Sequence, residues 1–198
     1  EVGAKVVDEV HVMRKIVIDG SNTAGFQRTA LIAVGGRIEM KGGKKIPIQT
    51  ICLEEDAARL LEKGEKCVTY SLDRLGIPLI EIATGPVIES PNEAVEVALE
   101  IGRLVKATGY VKDELGVIRQ DVNISVEGRG VVEVKGVQRL SQLRRVVEFE
   151  YLRQRGLISL AEELRKKTSD GEILKEEVRD VTDIFSSTKS KLIASGLR

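Results

Sequence analysis

Carboxylates stand in this sequence where strand-forming residues have little use for them. Glu81 interrupts the apolar run Leu79-Ile80-Glu81-Ile82, and Asp121 sits inside Arg119-Gln120-Asp121-Val122-Asn123. A carboxylate in such a strand must find a cation or hydrogen-bond donors. Glu54, Glu55 and Asp56 form a third acidic group at the end of another apolar run. Hard oxygen donors of this kind suit Mg2+, which needs only one or two protein carboxylates. Strand alternation offers the plainer reading, with Glu81 in solvent between inward Ile80 and Ile82. Cations lie elsewhere: Arg14-Lys15 is followed by Asp19-Gly20-Ser21-Asn22-Thr23. Hydroxyls and free backbone N–H groups beside cations suit a phosphate. The loop lacks the spacing of a P-loop, and an ordinary surface loop is the alternative.

Other chemistries lack their residues. His11 is the only histidine, and Asp8-Glu9-Val10-His11 reads as an exposed strand rather than a metal corner. There is no Ser/His/Asp triad, no Cys/His pair and no Gly/Ser-rich amidase stretch. Cys52 and Cys67 are too few and too far apart for a zinc ribbon or a redox pair, and read as free thiols. A helix expected at about 140–154 carries Arg144, Arg145 and Arg153, which could meet RNA phosphates. Arg144 and Glu148 are also spaced as an i,i+4 pair on a solvated face.

The elements that must position these groups are mostly strands. Residues 1–20 read as extended, with β-branched runs at 6–12 and 16–18. A meander of short strands comes next at 29–34, 37–40 and 44–50, with Gly35-Gly36 and Gly42-Gly43 as the tight hairpin turns. Residues 54–62 read either as a short helix or as a strand and turn. Strands at 67–72 and 79–83 precede the clearest helix, 91–108. Ser90 is its N-cap, Pro91 fits the first position and Glu93 completes a capping box. Ala94, Val97, Ala98, Ile101, Leu104 and Val105 form its apolar stripe. A hairpin is expected over 117–126 and 130–135, around Glu127-Gly128-Arg129. After Gly156 the sequence becomes highly charged, carries Ser169-Asp170-Gly171, and reads as a linker or the start of another domain.

Composition bounds the rest. The 198 residues suffice for one core and part of a second. At 42% hydrophobic and 31% charged, the chain has globular composition. Aromatics make up 3% and Trp is absent, which argues against a surface built on stacked aromatics. Formal net charge is +0, so bulk charge does not announce a nucleic-acid partner. No apolar run is long enough to span a membrane. The first residue is not Met, and both ends read as boundaries within something longer.

Several motifs, in order, carry a resemblance. Tyr70-Ser71-Leu72-Asp73-Arg74-Leu75-Gly76-Ile77-Pro78-Leu79-Ile80-Glu81-Ile82 resembles a signature of the B and E subunits of tRNA-dependent amidotransferases. Ser90-Pro91 with Glu93-Ala94 comes after it at the family's spacing. Arg119-Gln120-Asp121-Val122-Asn123-Ile124-Ser125 resembles the family's Arg-x-Asp-x-Asn strand, and Glu133-Val134-Lys135-Gly136-Val137 the segment after it. The stretch from Met13 to Thr29, and Val137-Gln138-Arg139-Leu140, are similar to the archaeal E type rather than the B type. Asp180-Val181-Thr182-Asp183-Ile184-Phe185 resembles the start of a domain that the E type alone carries.

The resemblance implies an α+β fold: a largely antiparallel sheet with helices packed on one side, the cradle domain of the family. Residues 1–156 would be part of that cradle, without its N-terminal strand. Residues 157–198 would be a linker and the truncated start of an inserted domain like part of an aspartyl-tRNA synthetase. The family's N-terminal strand contributes metal-site residues. Glu9-Val10-His11 imitates it, but the residues after His11 match a later segment, so no ligand role carries over. The implied activity is ATP-dependent phosphorylation of the glutamyl side chain of Glu-tRNA(Gln), then amidation by ammonia. Implied cofactors are ATP and Mg2+, the implied partner is an asparaginase-like amidase subunit, and the implied compartment is the cytoplasm. By position, Glu55, Glu81 and Asp121 would lie near the metal, with Glu54 able to replace Glu55 because neighbours on a strand face opposite ways. Arg119 and Lys135 would join Glu81 and Asp121 in catalysis. Arg14, Lys15, Ser21, Asn22, Phe26 and Gln27 would hold ATP or substrate. The fragment alone would be inactive. The alternative is a non-catalytic tRNA-binding or scaffold module, which would leave Glu81 and Asp121 far apart in solvent.

Overall fold

The computed structural model describes residues 2–112, 116–137, 139–168 and 177–197. Gln138 and Ser169-Asp170-Gly171 lie outside them. Strands β1 (Lys5–Val6), β2 (Val12–Ile16), β3 (Phe26–Val34), β4 (Arg37–Glu39) and β5 (Lys45–Glu55) come first in the chain. Next are β6 (Arg59–Lys63), β7 (Val68–Ser71), β8 (Pro78–Thr84), α1 (Pro91–Ala107), β9 (Val122–Ser125) and β10 (Val131–Val134). The helices α2 (Leu140–Lys167), α3 (Thr182–Phe185) and α4 (Lys191–Gly196) come last. The described pairings are all antiparallel, giving a mixed α+β fold.

The described strands fall into three sheets, and the three strands of the expected meander all lie in the largest of them. In the six-stranded sheet β5 is central: β3 lies on one side, β8 on the other, and β4 pairs with the start of β5. β1 and β2 share the outer edge of β3. Two-stranded sheets β6–β7 and β9–β10 stand apart from it. Residues 54–62 resolve as strand, short connection and strand, not helix. The β9 strand begins only at Val122, so 117–121 approach it as irregular chain. The connection from Ser125 to Val131 turns through left-handed backbone at Glu127 (φ 55°) and Gly128 (φ 66°), with the Arg129 N–H donating to the Val126 carbonyl at 3.1 Å. Gly36 cannot be replaced quietly: its φ is +97°, and a Cβ there would stand 2.8 Å from the Val2 carbonyl oxygen.

Local signals place α1 where the sequence puts it. Ser90 Oγ accepts the Glu93 N–H at 3.1 Å, and the Glu93 carboxylate accepts from the Glu89 N–H at 2.7 Å. Val97 of α1 then joins Ile38, Ile46 and Ile48 in the core, with Ile51, Ile82, Ile101 and Leu104 packed around them. Each such side chain, fully buried, contributes about 1.5–3 kcal/mol. This packing fixes which face of the sheet α1 covers: the one carrying Ile51 and Ile82.

The second long helix departs from expectation. It runs unbroken through Gly156 to Lys167. An interior glycine costs only about 1 kcal/mol relative to Ala, and the next stretch, Leu157-Ile158-Ser159-Leu160-Ala161-Glu162-Glu163-Leu164, is largely helix-forming. The chain forms two compact units, 1–151 and 152–198, so the division falls inside α2. In the second unit Ser190 caps α4, its Oγ accepting the Ile193 N–H at 3.5 Å. No helix among the described residues is long and apolar enough to cross a membrane.

Candidate active site

Register decides which candidate residues meet. Across β2–β3 the pairs are Met13 with Thr29 and Lys15 with Gln27. Across β3–β5 Thr29 pairs with Glu54, and across β5–β8 Cys52 pairs with Glu81. Paired residues share a face and alternate residues return to it. Lys15, Gln27, Thr29, Glu54 and Glu81 therefore occupy one face. It is the face opposite Ile51 and Ile82, and so opposite α1.

On that face Lys15 Nζ donates to Glu54 Oε1, and Thr29 Oγ1 donates to the same oxygen at 3.1 Å. The Glu54 side chain is only 12% exposed. The Glu81 carboxyl lies close enough on the same face for the two to influence each other's ionisation. The two titrate apart. Burial pushes Glu54 up, but the Lys15 ammonium, the Thr29 hydroxyl and the Glu81 carboxyl together pull it below the ordinary glutamate range. Burial and then the neighbouring Glu54 charge push Glu81 above that range, against the Lys15 and Lys135 charges. The result is two carboxyls that perturb one another, Glu81 the weaker acid, with the Lys15 ammonium bound to Glu54.

Lys135 extends the cluster. Its Nζ lies 3.0 Å from Glu133 Oε1 and 3.3 Å from Asp121 Oδ2, and both carboxylates hold its charge on. The Gly136 N–H reaches Asp121 Oδ1 at 3.4 Å. The Lys135 charge, paired with Asp121, also weakly opposes the upward shift of Glu81.

The other expected residues lie elsewhere. Glu55 points to the opposite face from Glu54. There it takes the Arg28 N–H at 3.1 Å and Arg28 Nη1 at 2.6 Å, which hold it below the usual range. Arg14 and Arg28 flank the Phe26 ring at 4.8 and 5.4 Å on that face. The structure thus brings Glu54, not Glu55, to Glu81, and separates Arg14 and Phe26 from Lys15 and Gln27. Gln27 Nε2 is occupied by the Glu55 carbonyl. The 19–23 loop is a tied turn. Ser21 donates both its N–H and its hydroxyl to Asp19, at 2.9 and 2.6 Å, Tyr70 holds the Asp19 carbonyl, and Asn22 is buried. His11 is exposed, 3.2 Å from Glu9.

Arg119 makes a contact that sequence pattern does not reveal. Its Nη2 donates to Asp56 Oδ2, a carboxylate buried at 6% exposure. Arg28 and Thr29 likewise carry no local signal of their contacts. The signal for Asp56 is its place in the Glu54-Glu55-Asp56 run, but its partner is 63 residues away.

Among the described residues no group of three or more His, Cys, Asp or Glu is arranged to hold a metal ion. The expected set of Glu55, Glu81 and Asp121 is therefore not assembled as such. The pair Glu54–Glu81 nonetheless fits Mg2+ as a donor set, because that ion takes one or two carboxylates and fills its sphere with water and phosphate oxygens. The Lys15 ammonium bound to Glu54 is the cation on this face that could meet an anionic oxygen.

An α+β domain built on an antiparallel sheet, with acid and ammonium groups gathered on one face, is the class defined so far. Residues 1–191 match the family model described as the GatB/GatE catalytic domain, and the chain belongs to that family. It is 57% identical over 189 residues to the E-type subunit of glutamyl-tRNA(Gln) amidotransferase from Archaeoglobus fulgidus, in a match covering 96% of this chain. It is 55% identical over 192 residues to the protein of the same name from Aeropyrum pernix, and 52% over 196 residues to that from Saccharolobus solfataricus, covering 96% and 98% of the chain. The chain spans 30% of the length of each of these relatives.

Proposed function

We propose that this chain is the catalytic part of a subunit that activates the glutamyl side chain of mischarged Glu-tRNA(Gln) for amidation. The observation that carries the reading is the Lys15–Glu54–Glu81 cluster on one face of a GatB/GatE catalytic domain, with the charge of the Lys135–Asp121 pair acting on Glu81. A carboxylate does not accept ammonia directly, because oxide would have to leave. ATP supplies the phosphoryl group that makes the carboxyl oxygen a leaving group, and ammonia displaces it as phosphate. Glu54 and Glu81 would hold Mg2+ as carboxylates, and Lys15 and Lys135 would neutralise phosphate charge. Asp121 holds the Lys135 ammonium in place for that task.

The finer reading rests on the relatives' names and the sequence motifs. The reaction is that of a carbon–nitrogen ligase working in protein synthesis in the cytoplasm. Ammonia comes from an asparaginase-like amidase partner. Residues near the C-terminal end, resembling an aspartyl-tRNA synthetase insertion, begin a further domain. The test is a tRNA-dependent amidation assay on the full-length subunit with its partner. Glu81→Gln is expected to abolish Gln-tRNA formation while leaving tRNA binding intact. Unchanged amidation would overturn the reading in favour of a binding or scaffold module.

A further inference from the structure

Asp56 is where the segments bearing the site's carboxylates meet. It directly follows Glu54 and Glu55 at the end of β5. Its N–H donates to the Ile77 carbonyl at 2.7 Å, and its carbonyl accepts from the Gly76 N–H at 3.0 Å. Those contacts tie β5 to the chain entering β8, which carries Glu81. Its carboxylate accepts from Arg119, two residues before Asp121. The other carboxylate oxygen takes the Ala57 N–H at 2.9 Å, which fixes the rotamer. Arg74, in the turn before β8, brings a second guanidinium to the same oxygen as Arg119, with Nε at 4.0 Å. That nitrogen is buried and has no hydrogen-bond partner.

A buried carboxylate facing two guanidiniums is an expensive way to gain stability, because desolvation offsets most of the attraction. What such a charge does well is hold elements in one arrangement. Charge matters here as well as shape. Without it, Arg74 and Arg119 would be two cations converging on a neutral group. Arg119 would be released, and with it the irregular stretch leading to Asp121 and to Lys135 paired with it.

We infer that Asp56 is a positioning residue, acting through Arg119 and the 74–77 turn to set Asp121 and Glu81 against Glu54. The inference rests on the function proposed above and deepens it. Arg119 accordingly serves the site from behind, held by Asp56, instead of gripping substrate.

The test uses the full-length subunit in its complex, with Asp56→Asn, Arg119→Gln, the double variant, and Glu81→Gln as control. A displacement of the Asp121 strand by about 1 Å is expected to lower kcat by about 100-fold, with KM for Glu-tRNA little changed. The double variant is expected to be no worse than either single one, since both break one contact. Arg119→Gln alters a half-exposed side chain, so it carries the test if Asp56→Asn fails to fold. Normal kcat in Arg119→Gln, a loss confined to KM, or additive losses in the double variant would each overturn the inference. Full activity in Glu81→Gln would overturn the functional reading beneath it. An inactive Glu81→Gln beside normal kcat in Asp56→Asn and Arg119→Gln would overturn the positioning role alone.

Discussion

Replacing Glu81 by Gln should make the folded chain more stable at high pH and leave it unchanged in acid. Glu81 is raised above the ordinary range by burial and by Glu54. A raised carboxyl contributes stability below its unfolded value of about 4.3, and that stability is lost as pH rises through the folded value. Glu54 runs the other way: held low, it contributes above about 4.3 and loses that contribution as pH falls. Gln at position 81 keeps an amide N–H that can donate to Glu54, and it has no charge to develop. Two full charges about 4 Å apart at an effective dielectric of 20 repel by about 4 kcal/mol, which is the ceiling. Glu81 is open to solvent and the Lys15 and Lys135 ammonium groups oppose the repulsion. Screening of this kind leaves about 1 kcal/mol. Urea unfolding of the chain followed by circular dichroism should show that gain near pH 8 and none near pH 4, at constant m-value. A difference that is flat with pH, or that grows in acid, would show that burial and the Glu54 charge do not raise the Glu81 carboxyl.

Two further outcomes test the scaffold. Ile46 is 0% exposed at the centre of the core, so Ile46→Ala should cost about 3 kcal/mol in the same urea experiment. Ser90→Ala removes the acceptor for the Glu93 N–H and should cost about 1 kcal/mol, with faster amide exchange in the first turn of α1.

The features legible in the sequence are local ones. The cap at Ser90, the stripe through Val97 and Ile101, and the turns at Gly43 and Gly128 depend on neighbours within a turn, and the structure keeps them; Gly35-Gly36 makes no hairpin, because β3 and β4 on either side of it both pair with β5. Glu81 and Asp121 stand out because a carboxylate among β-branched residues is locally anomalous. The choice between Glu54 and Glu55 is not legible. It depends on how β5 registers against β3 and β8, where ladders shift at Leu31/Ala33 and Ile48/Thr50. A one-residue slip exchanges the faces. Grouping Arg14 with Lys15 fails for the same reason, because adjacent strand residues cannot share a face. Asp56 escapes notice because its meaning lies in Arg119 and in the chain entering β8, contacts that only folding creates. Gly156 reads as a stop, but nothing there demands left-handed backbone and the helix passes through it.

The central claim is that the face carrying Glu54, Lys15 and Glu81 is where glutamyl activation occurs. It is tested most directly by measuring transfer of labelled γ-phosphate from ATP to Glu-tRNA(Gln), without an ammonia source, in full-length Glu54→Gln and Glu55→Gln subunits. The account predicts at least about a 100-fold loss for Glu54→Gln, as for removal of a preorganised charge at a reacting centre. Glu55→Gln, which breaks only a surface pair with Arg28, should stay within about fivefold of wild type. Loss of transfer in Glu55→Gln with activity kept in Glu54→Gln would contradict it.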